Sequence, residues 1–141
     1  MGHVVRSLVL ARELHDLGAE VEVWGSDVGA GRALAGSFGP VRIRNREIPD
    51  GSSREIAAIN DFMPDLVIAD GYHFSEGFFV GLQNVGIAYG VIDDNLESKA
   101  VAPRFVLNQN PSARAGAYRE RFPASQLFLG PSWALIRREF S

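Results

Sequence analysis

The chain has 141 residues, of which 46% are apolar and 22% charged, with a formal net charge of −3. This length suits one domain with a substantial core. The 14 basic residues are scattered, which argues against nucleic acid as a partner, and no apolar run reaches the about 18 residues of a membrane span. Cysteine is absent, which excludes disulfides and thiolate metal sites. We therefore predict a cytoplasmic globular protein that does not act at a membrane.

The N-terminal third of the chain predicts two helices and two strands. Apolar residues recur at helical spacing over residues 4–17, and Gly18 is the predicted stop. Strict alternation of apolar and polar residues predicts strands at 20–24 and 41–44, the second of them near a sheet edge. Between these strands, a short helix is predicted around residues 32–38.

The remaining sequence alternates strands with helices. Ser52 and Glu55 form a capping box that begins a helix, and Pro64 ends it. Ser75 caps a second helix through residue 83, and two more helices are predicted at 112–122 and 133–140. Strands are predicted at 66–69, 87–92, 105–107 and 126–129. This order predicts an α/β, Rossmann-like parallel sheet with helices on both faces, in a single domain that covers residues 1–141.

Polar residues follow several of the predicted strands. Asp70, the pair Asp93 and Asp94, and Asn108 lie at strand ends, where open parallel sheets bind ligands. Each position has a structural alternative, because aspartate at a strand end commonly caps a turn. Asn108 and Asn110 would suit sugar hydroxyls or amides, and they would equally suit a capped loop that enters the next helix.

A Gly-His pair opens the first predicted helix. Gly2 permits close backbone approach, and the free amides of a helix start favour an anionic group. The imidazole of His3 could act as a general base toward water or a sugar hydroxyl. Met-Gly-His is also a common start of expression tags, so these three residues alone leave the function open.

The order of the motifs is more specific than any one of them. The chain resembles the N-terminal half of the UDP-sugar hydrolases of pseudaminic acid biosynthesis, and spore-coat polysaccharide proteins of the same superfamily look similar. The resemblance covers essentially the whole chain, and the segments that carry it are residues 2–11 (GHVVRSLVLA), 64–72 (PDLVIADGY), 91–94 (VIDD), 107–110 (LNQN) and 129–140 (LGPSWALIRREF).

The resemblance implies both a fold and a reaction. The fold would be the glycosyltransferase-B architecture, and water would cleave a UDP-linked 2,4-diacetamido-2,4,6-trideoxy sugar to UDP and free sugar. His3 matches the presumed base of the family, and Tyr72 matches a tyrosine that faces the sugar. Neither a metal nor another cofactor is implied. The substrate-binding residues expected on this basis are Gly2, Arg6, Asp70, Tyr72, Asp93, Asp94, Asn108 and Asn110.

The resemblance also sets expectations for what surrounds this chain. Family members have a strand before Gly-His and a second, nucleotide-binding domain after the segment that matches residues 129–140. We therefore expect this chain to be a truncated form that is inactive alone, with a second domain or chain that completes the cleft. Two alternatives stay open: a glycosyltransferase of the same fold that uses a UDP-sugar donor, and a non-enzymatic half-domain that binds a partner chain.

Overall fold

The computed structural model describes residues 2–25, 41–45 and 52–135, which belong to two compact units. The first unit contains residues 2–25 and 41–45 together with Leu135, and the second contains residues 52–134. Parallel strands flanked by helices confirm the predicted Rossmann-like α/β fold class. The single-domain organisation stays a prediction, and the helix predicted around residues 32–38 lies outside the described residues.

The first unit combines one helix with two parallel strands. Its elements are α1 (Gly2–Asp16), β1 (Glu22–Gly25) and β2 (Arg42–Asn45). Leu8 and Val9 of α1 form a buried core, against which Val23 and Ile43 of the strands pack. Gly18 adopts φ 95°, and its N–H donates to a carbonyl in the last helical turn at 2.8 Å. The predicted stop is confirmed, since glycine tolerates this left-handed conformation best.

A buried carboxylate ties β1 to β2. Only 1% of the Glu22 side chain is exposed, and its Oε2 atom accepts from Nε1 of Trp24 at 2.9 Å and pairs with Nε of Arg44 at 2.8 Å. Burial alone would raise the pKa of Glu22, but these hydrogen bonds and the positive charges of Arg44 and Arg42 lower it below the ordinary 4.5. Glu22 therefore stays ionised and holds the two strands in register.

The second unit contains a four-stranded sheet in the order β3-β4-β5-β6, and all neighbouring strands are parallel. All four strands therefore end at the same side of the sheet, which we call the carboxyl edge. The elements of this unit in chain order are α2 (Ser53–Asp61), β3 (Val67–Asp70), α3 (Glu76–Asn84), β4 (Tyr89–Ile92), β5 (Phe105–Asn108), α4 (Ala115–Arg121), β6 (Gln126–Leu129) and a 3₁₀ turn (Pro131–Trp133).

Serine caps begin two helices of the second unit where the sequence predicts them. The side chains of Ser52 and Ser75 each accept the backbone N–H of the third following residue at 3.2 Å. Within α3, Phe78, Phe79 and Leu82 are buried, as is every residue of β4. The apolar face of α3 and the strand β4 therefore supply much of the core of this unit.

Two helix boundaries differ from those predicted. Helix α4 begins at Ala115 rather than at residue 112, because residues 111–112 form a turn in which the Ala113 N–H donates to the Asn110 carbonyl at 3.1 Å. The helix predicted from Trp133 does not begin there, since Trp133 ends a 3₁₀ turn and Ala134 is extended at ψ 127°. Residues 136–140 of that prediction lie outside the described residues. Among the helices that are described, none combines the length and the apolar character needed to cross a membrane.

Candidate functional site

The carboxyl edge of the second unit gathers the polar residues that the sequence places at strand ends. Asp70 is the last residue of β3 and pairs in register with the last residue of β4, directly before Asp93 and Asp94. Asn108 is the last residue of β5. Parallel pairing therefore brings these residues to one edge, the usual place for ligands in such sheets.

The carboxylate of Asp93 closes the loop that follows β4. Asp93 is 1% exposed, and its Oδ1 atom accepts the backbone N–H groups of Asn95 at 3.0 Å and Glu97 at 3.2 Å. Its Oδ2 atom accepts the N–H of Ser98 at 3.2 Å. These bonds enclose Leu96, which adopts the left-handed φ of 62° that a branched side chain disfavours. The buried carboxylate of Asp93 therefore holds the backbone of this loop in its conformation.

Asn108 joins three segments of the second unit. Its side-chain Nδ2 donates to the Tyr118 hydroxyl at 2.7 Å and to the Asp94 carbonyl at 3.0 Å. Its Oδ1 accepts the Asn110 N–H at 2.9 Å, and its own carbonyl accepts the Gly130 N–H at 2.7 Å. Asn108 is buried, so these bonds satisfy an amide that water cannot reach. Asn108, which was expected to bind substrate, is therefore buried and links β5 to helix α4 and to the loop after β4.

Tyr118 belongs to this network, although sequence reasoning missed it. It lies on α4, is buried, and its hydroxyl accepts from Asn108 and from the Leu96 N–H at 3.1 Å and donates to the Asp93 carbonyl at 3.2 Å. Burial raises the pKa of Tyr118 above its ordinary 10.0, so the hydroxyl keeps its proton. The four-residue spacing from Tyr118 to Phe122 indicates a buried helical face, but nothing in the sequence indicates which groups the Tyr118 hydroxyl contacts.

Three half-buried side chains at the carboxyl edge are joined by hydrogen bonds, and we call Tyr72, Asp94 and Asn110 the edge cluster. The Tyr72 hydroxyl donates to Oδ2 of Asp94 at 3.1 Å. Nδ2 of Asn110 donates to the Asp94 carbonyl at 3.3 Å and lies 3.5 Å from its Oδ1. Gly71 leads the chain into Tyr72 at φ 135°, and a Cβ there would lie 2.7 Å from the His73 ring. Glycine is therefore favoured at this turn, because L side chains rarely adopt this φ.

The edge cluster combines three kinds of polar group in one place. Asp94 supplies carboxylate acceptors, Tyr72 a hydroxyl that both donates and accepts, and Asn110 an amide with both functions. Such a set matches hydroxyl and acetamido groups of a sugar. Asp70 is half-buried at the end of the neighbouring strand. The four residues share one unit and one edge. The sequence placed Asp70 and Asp94 at strand ends, and Tyr72 and Asn110 lie in the loops that follow β3 and β5.

The predicted base and its neighbours lie in the first unit. Gly2 and His3 are exposed in the first turn of α1, and Nη2 of the buried Arg6 lies 2.8 Å from Nδ1 of His3. A guanidinium can only donate, so Nδ1 accepts this bond, and a neutral imidazole would carry its proton on Nε2. The predicted base and the predicted substrate-binding arginine are therefore in direct contact.

One cavity of the second unit lies away from the edge cluster. It has a volume of about 310 Å³ at the amino ends of the strands, where Tyr89 begins β4 and Arg104 precedes β5. Its described lining includes Gln83 and carries no carboxylate or imidazole. Within the described part of the chain, no three histidine, aspartate or glutamate side chains group closely enough to hold a metal ion.

No protein-family model matches this chain, and no curated protein is significantly similar to it. The sequence motifs and the geometry of the two units therefore carry the functional argument alone.

Proposed function

We propose that this chain binds the sugar of a UDP-linked diacetamido-trideoxy sugar and belongs to an enzyme that hydrolyses that compound. The observation that carries the proposal is the edge cluster, in which Tyr72, Asp94 and Asn110 meet at the carboxyl edge of a parallel sheet. The order of the sequence motifs supplies the substrate class. The membership of the chain in the UDP-sugar hydrolases is part of this proposal.

The chemistry of the edge cluster suits an N-acetylated sugar. A carboxylate such as Asp94 accepts the hydroxyl and N–H donors of the ligand, and the amide of Asn110 donates to an acetamido carbonyl. The hydroxyl of Tyr72 gives its one proton to Asp94, so its oxygen accepts a hydrogen bond from the ligand. Because Asp94 is half-buried, its hydrogen bonds to the sugar would be stronger than those of a fully solvated carboxylate. We therefore expect the cluster to prefer acetamido sugars over sugars that bear hydroxyls alone.

In the proposed reaction, the bond between the anomeric carbon and the phosphate oxygen of UDP breaks. The oxygen of water bonds to the anomeric carbon, its proton passes to a general base, and UDP leaves with the electron pair; the resemblance assigns the role of the base to His3. The diphosphate is a good leaving group, so the main task of the protein is to orient the water. Since Arg6 occupies Nδ1 of His3, the base step requires Arg6 to transfer its hydrogen bond to another acceptor, such as the diphosphate.

The test of the base is release of UDP by the protein at its natural length. His3→Ala should abolish release, and His15→Ala on the same helix is the matched control that should retain it. Full activity of His3→Ala would contradict the role of His3. Transfer of the sugar to an acceptor, without free sugar, would instead support a glycosyltransferase.

The test of the edge cluster is sugar binding by the 141-residue chain, measured by NMR titration with the free diacetamido sugar. Asn110→Ala and Tyr72→Phe should each weaken binding about tenfold, because each removes one hydrogen bond to the ligand. Asn84→Ala, at the exposed end of α3, is the matched control and should bind as the wild type does. Equal affinity of all variants would contradict the proposed site.

A further inference from the structure

The hydroxyl of Tyr118 is saturated by partners from two separate segments. It accepts from Asn108 of β5 at 2.7 Å and from Leu96 of the loop after β4 at 3.1 Å, and it donates to the carbonyl of Asp93 at 3.2 Å. A phenol has one donor and two acceptor positions, and all three are used. Helix α4 thereby holds the end of β5 and the loop after β4 through one atom.

A short series of hydrogen bonds leads from this hydroxyl to the edge cluster. The Asn108 amide that donates to Tyr118 also donates to the Asp94 carbonyl at 3.0 Å. The other end of the same amide accepts the N–H of Asn110 at 2.9 Å. The orientation of Asn108 therefore sets the backbone positions of both Asp94 and Asn110, and the Tyr118 hydroxyl sets the orientation of Asn108.

We propose that Tyr118 is the positioning residue of the edge cluster, which it orients toward an acetamido sugar through Asn108 without touching the ligand. The sugar part of this assignment rests on the proposed function, whereas the positioning part rests on the hydrogen bonds alone. Without the hydroxyl, one Asn108 N–H, the Leu96 N–H and the Asp93 carbonyl lose a partner. The Asn108 amide would then reorient, and Asp94 and Asn110 would move with it.

The chain contains a matched control for this substitution. Tyr89 is also buried, and its hydroxyl also joins a loop, since it donates to the Val101 carbonyl and accepts the Val101 N–H. Burial raises the pKa of Tyr89 as it does that of Tyr118. Tyr89 begins β4, however, and so lies at the amino edge, opposite the edge cluster. Tyr89→Phe therefore removes a comparable buried hydroxyl without affecting Asn108.

The experiment compares Tyr118→Phe with Tyr89→Phe by NMR. In Tyr118→Phe, we expect the side-chain amide signals of Asn108 and Asn110 to shift and the Leu96 amide to exchange at least about tenfold faster with solvent. Sugar affinity should fall about tenfold in the same variant, and Tyr89→Phe should leave all of these at their wild-type values. Wild-type amide signals in Tyr118→Phe would overturn the proposal.

A measurement on the wild type keeps the proposal testable if Tyr118→Phe does not fold. The Leu96 N–H donates to Tyr118, so its exchange should be slow despite its place in a loop. Fast exchange of this amide would overturn the positioning role. If the wild-type chain binds no diacetamido sugar, the proposed function fails, while the amide signals still decide the role of Tyr118.

Discussion

Asp93 is the residue whose replacement should most destabilise the loop after β4. Asp93→Ala removes three hydrogen bonds from backbone N–H groups to a charged acceptor, at 3.0, 3.2 and 3.2 Å. At about 1.5 kcal/mol for each such bond, the loss amounts to roughly 4.5 kcal/mol. Asn95 and Glu97 are exposed, so water replaces part of the loss. We expect the free energy of unfolding of the second unit to fall by about 3–4 kcal/mol.

The assay is urea unfolding followed by the fluorescence of Trp133, which lies in the second unit, in a Trp24→Phe background. Asp93→Asn should cost about 1.5–3 kcal/mol, because its amide oxygen keeps the two bonds of Oδ1 while an NH₂ group faces the N–H of Ser98. Asp94→Asn is the control and should cost less than about 1 kcal/mol. If Asp93→Ala is no more destabilising than Asp94→Asn, the reasoning about this loop is refuted.

Two further predictions concern a glycine in the core of the second unit and a buried ion pair in the first. A Cβ on Gly90 would lie 2.2 Å from the ring of Phe105, so Gly90→Ala should lower the free energy of unfolding by about 1–3 kcal/mol. The control is Gly116→Ala, which should not lower the free energy of unfolding, because the space around Gly116 is open. Urea unfolding measures both variants. The pKa of Glu22 is lower folded than unfolded, so its stabilisation of the first unit is present above pH 4.5 and is lost as the pH falls through the lowered value. Thermal unfolding from pH 6 to pH 2 should show this loss in the wild type and less of it in Glu22→Gln; equal pH dependence of the two proteins would contradict the prediction.

Local features of the fold could be predicted because their causes lie within a few residues. Ser52 and Ser75 accept N–H groups three residues away, and Gly18 ends α1 through bonds within the last turn. The apolar runs that became β3 and β4 are also local, and their alternation with helices indicated a parallel sheet. The start of α4 was wrong because the turn at residues 111–112 competes with the helix, and the propensity pattern does not resolve that competition.

The candidate site was only partly predictable for the same physical reason. That Asp70, Asp94 and Asn108 lie at strand ends follows from the sequence, since parallel strands end at one edge. Which of these side chains stay accessible does not follow, because burial depends on segments that are distant in the chain. Asp93 and Asn108 are buried, whereas Asp94 is half-buried beside Tyr72.

The sequence by itself therefore determined the α/β class, the ends of several elements and the set of polar residues at the carboxyl edge. Only the tertiary structure decided their roles, because the decisive hydrogen bonds join residues far apart in the chain: Tyr72 and Asp94 are 22 positions apart, and Leu96 and Tyr118 are also 22 apart. A hydroxyl such as that of Tyr118 finds its partners only after helix, loop and strand have packed together. The periodicity of a sequence predicts which face of a helix is buried, but it does not predict which polar atoms the side chains of that face will contact.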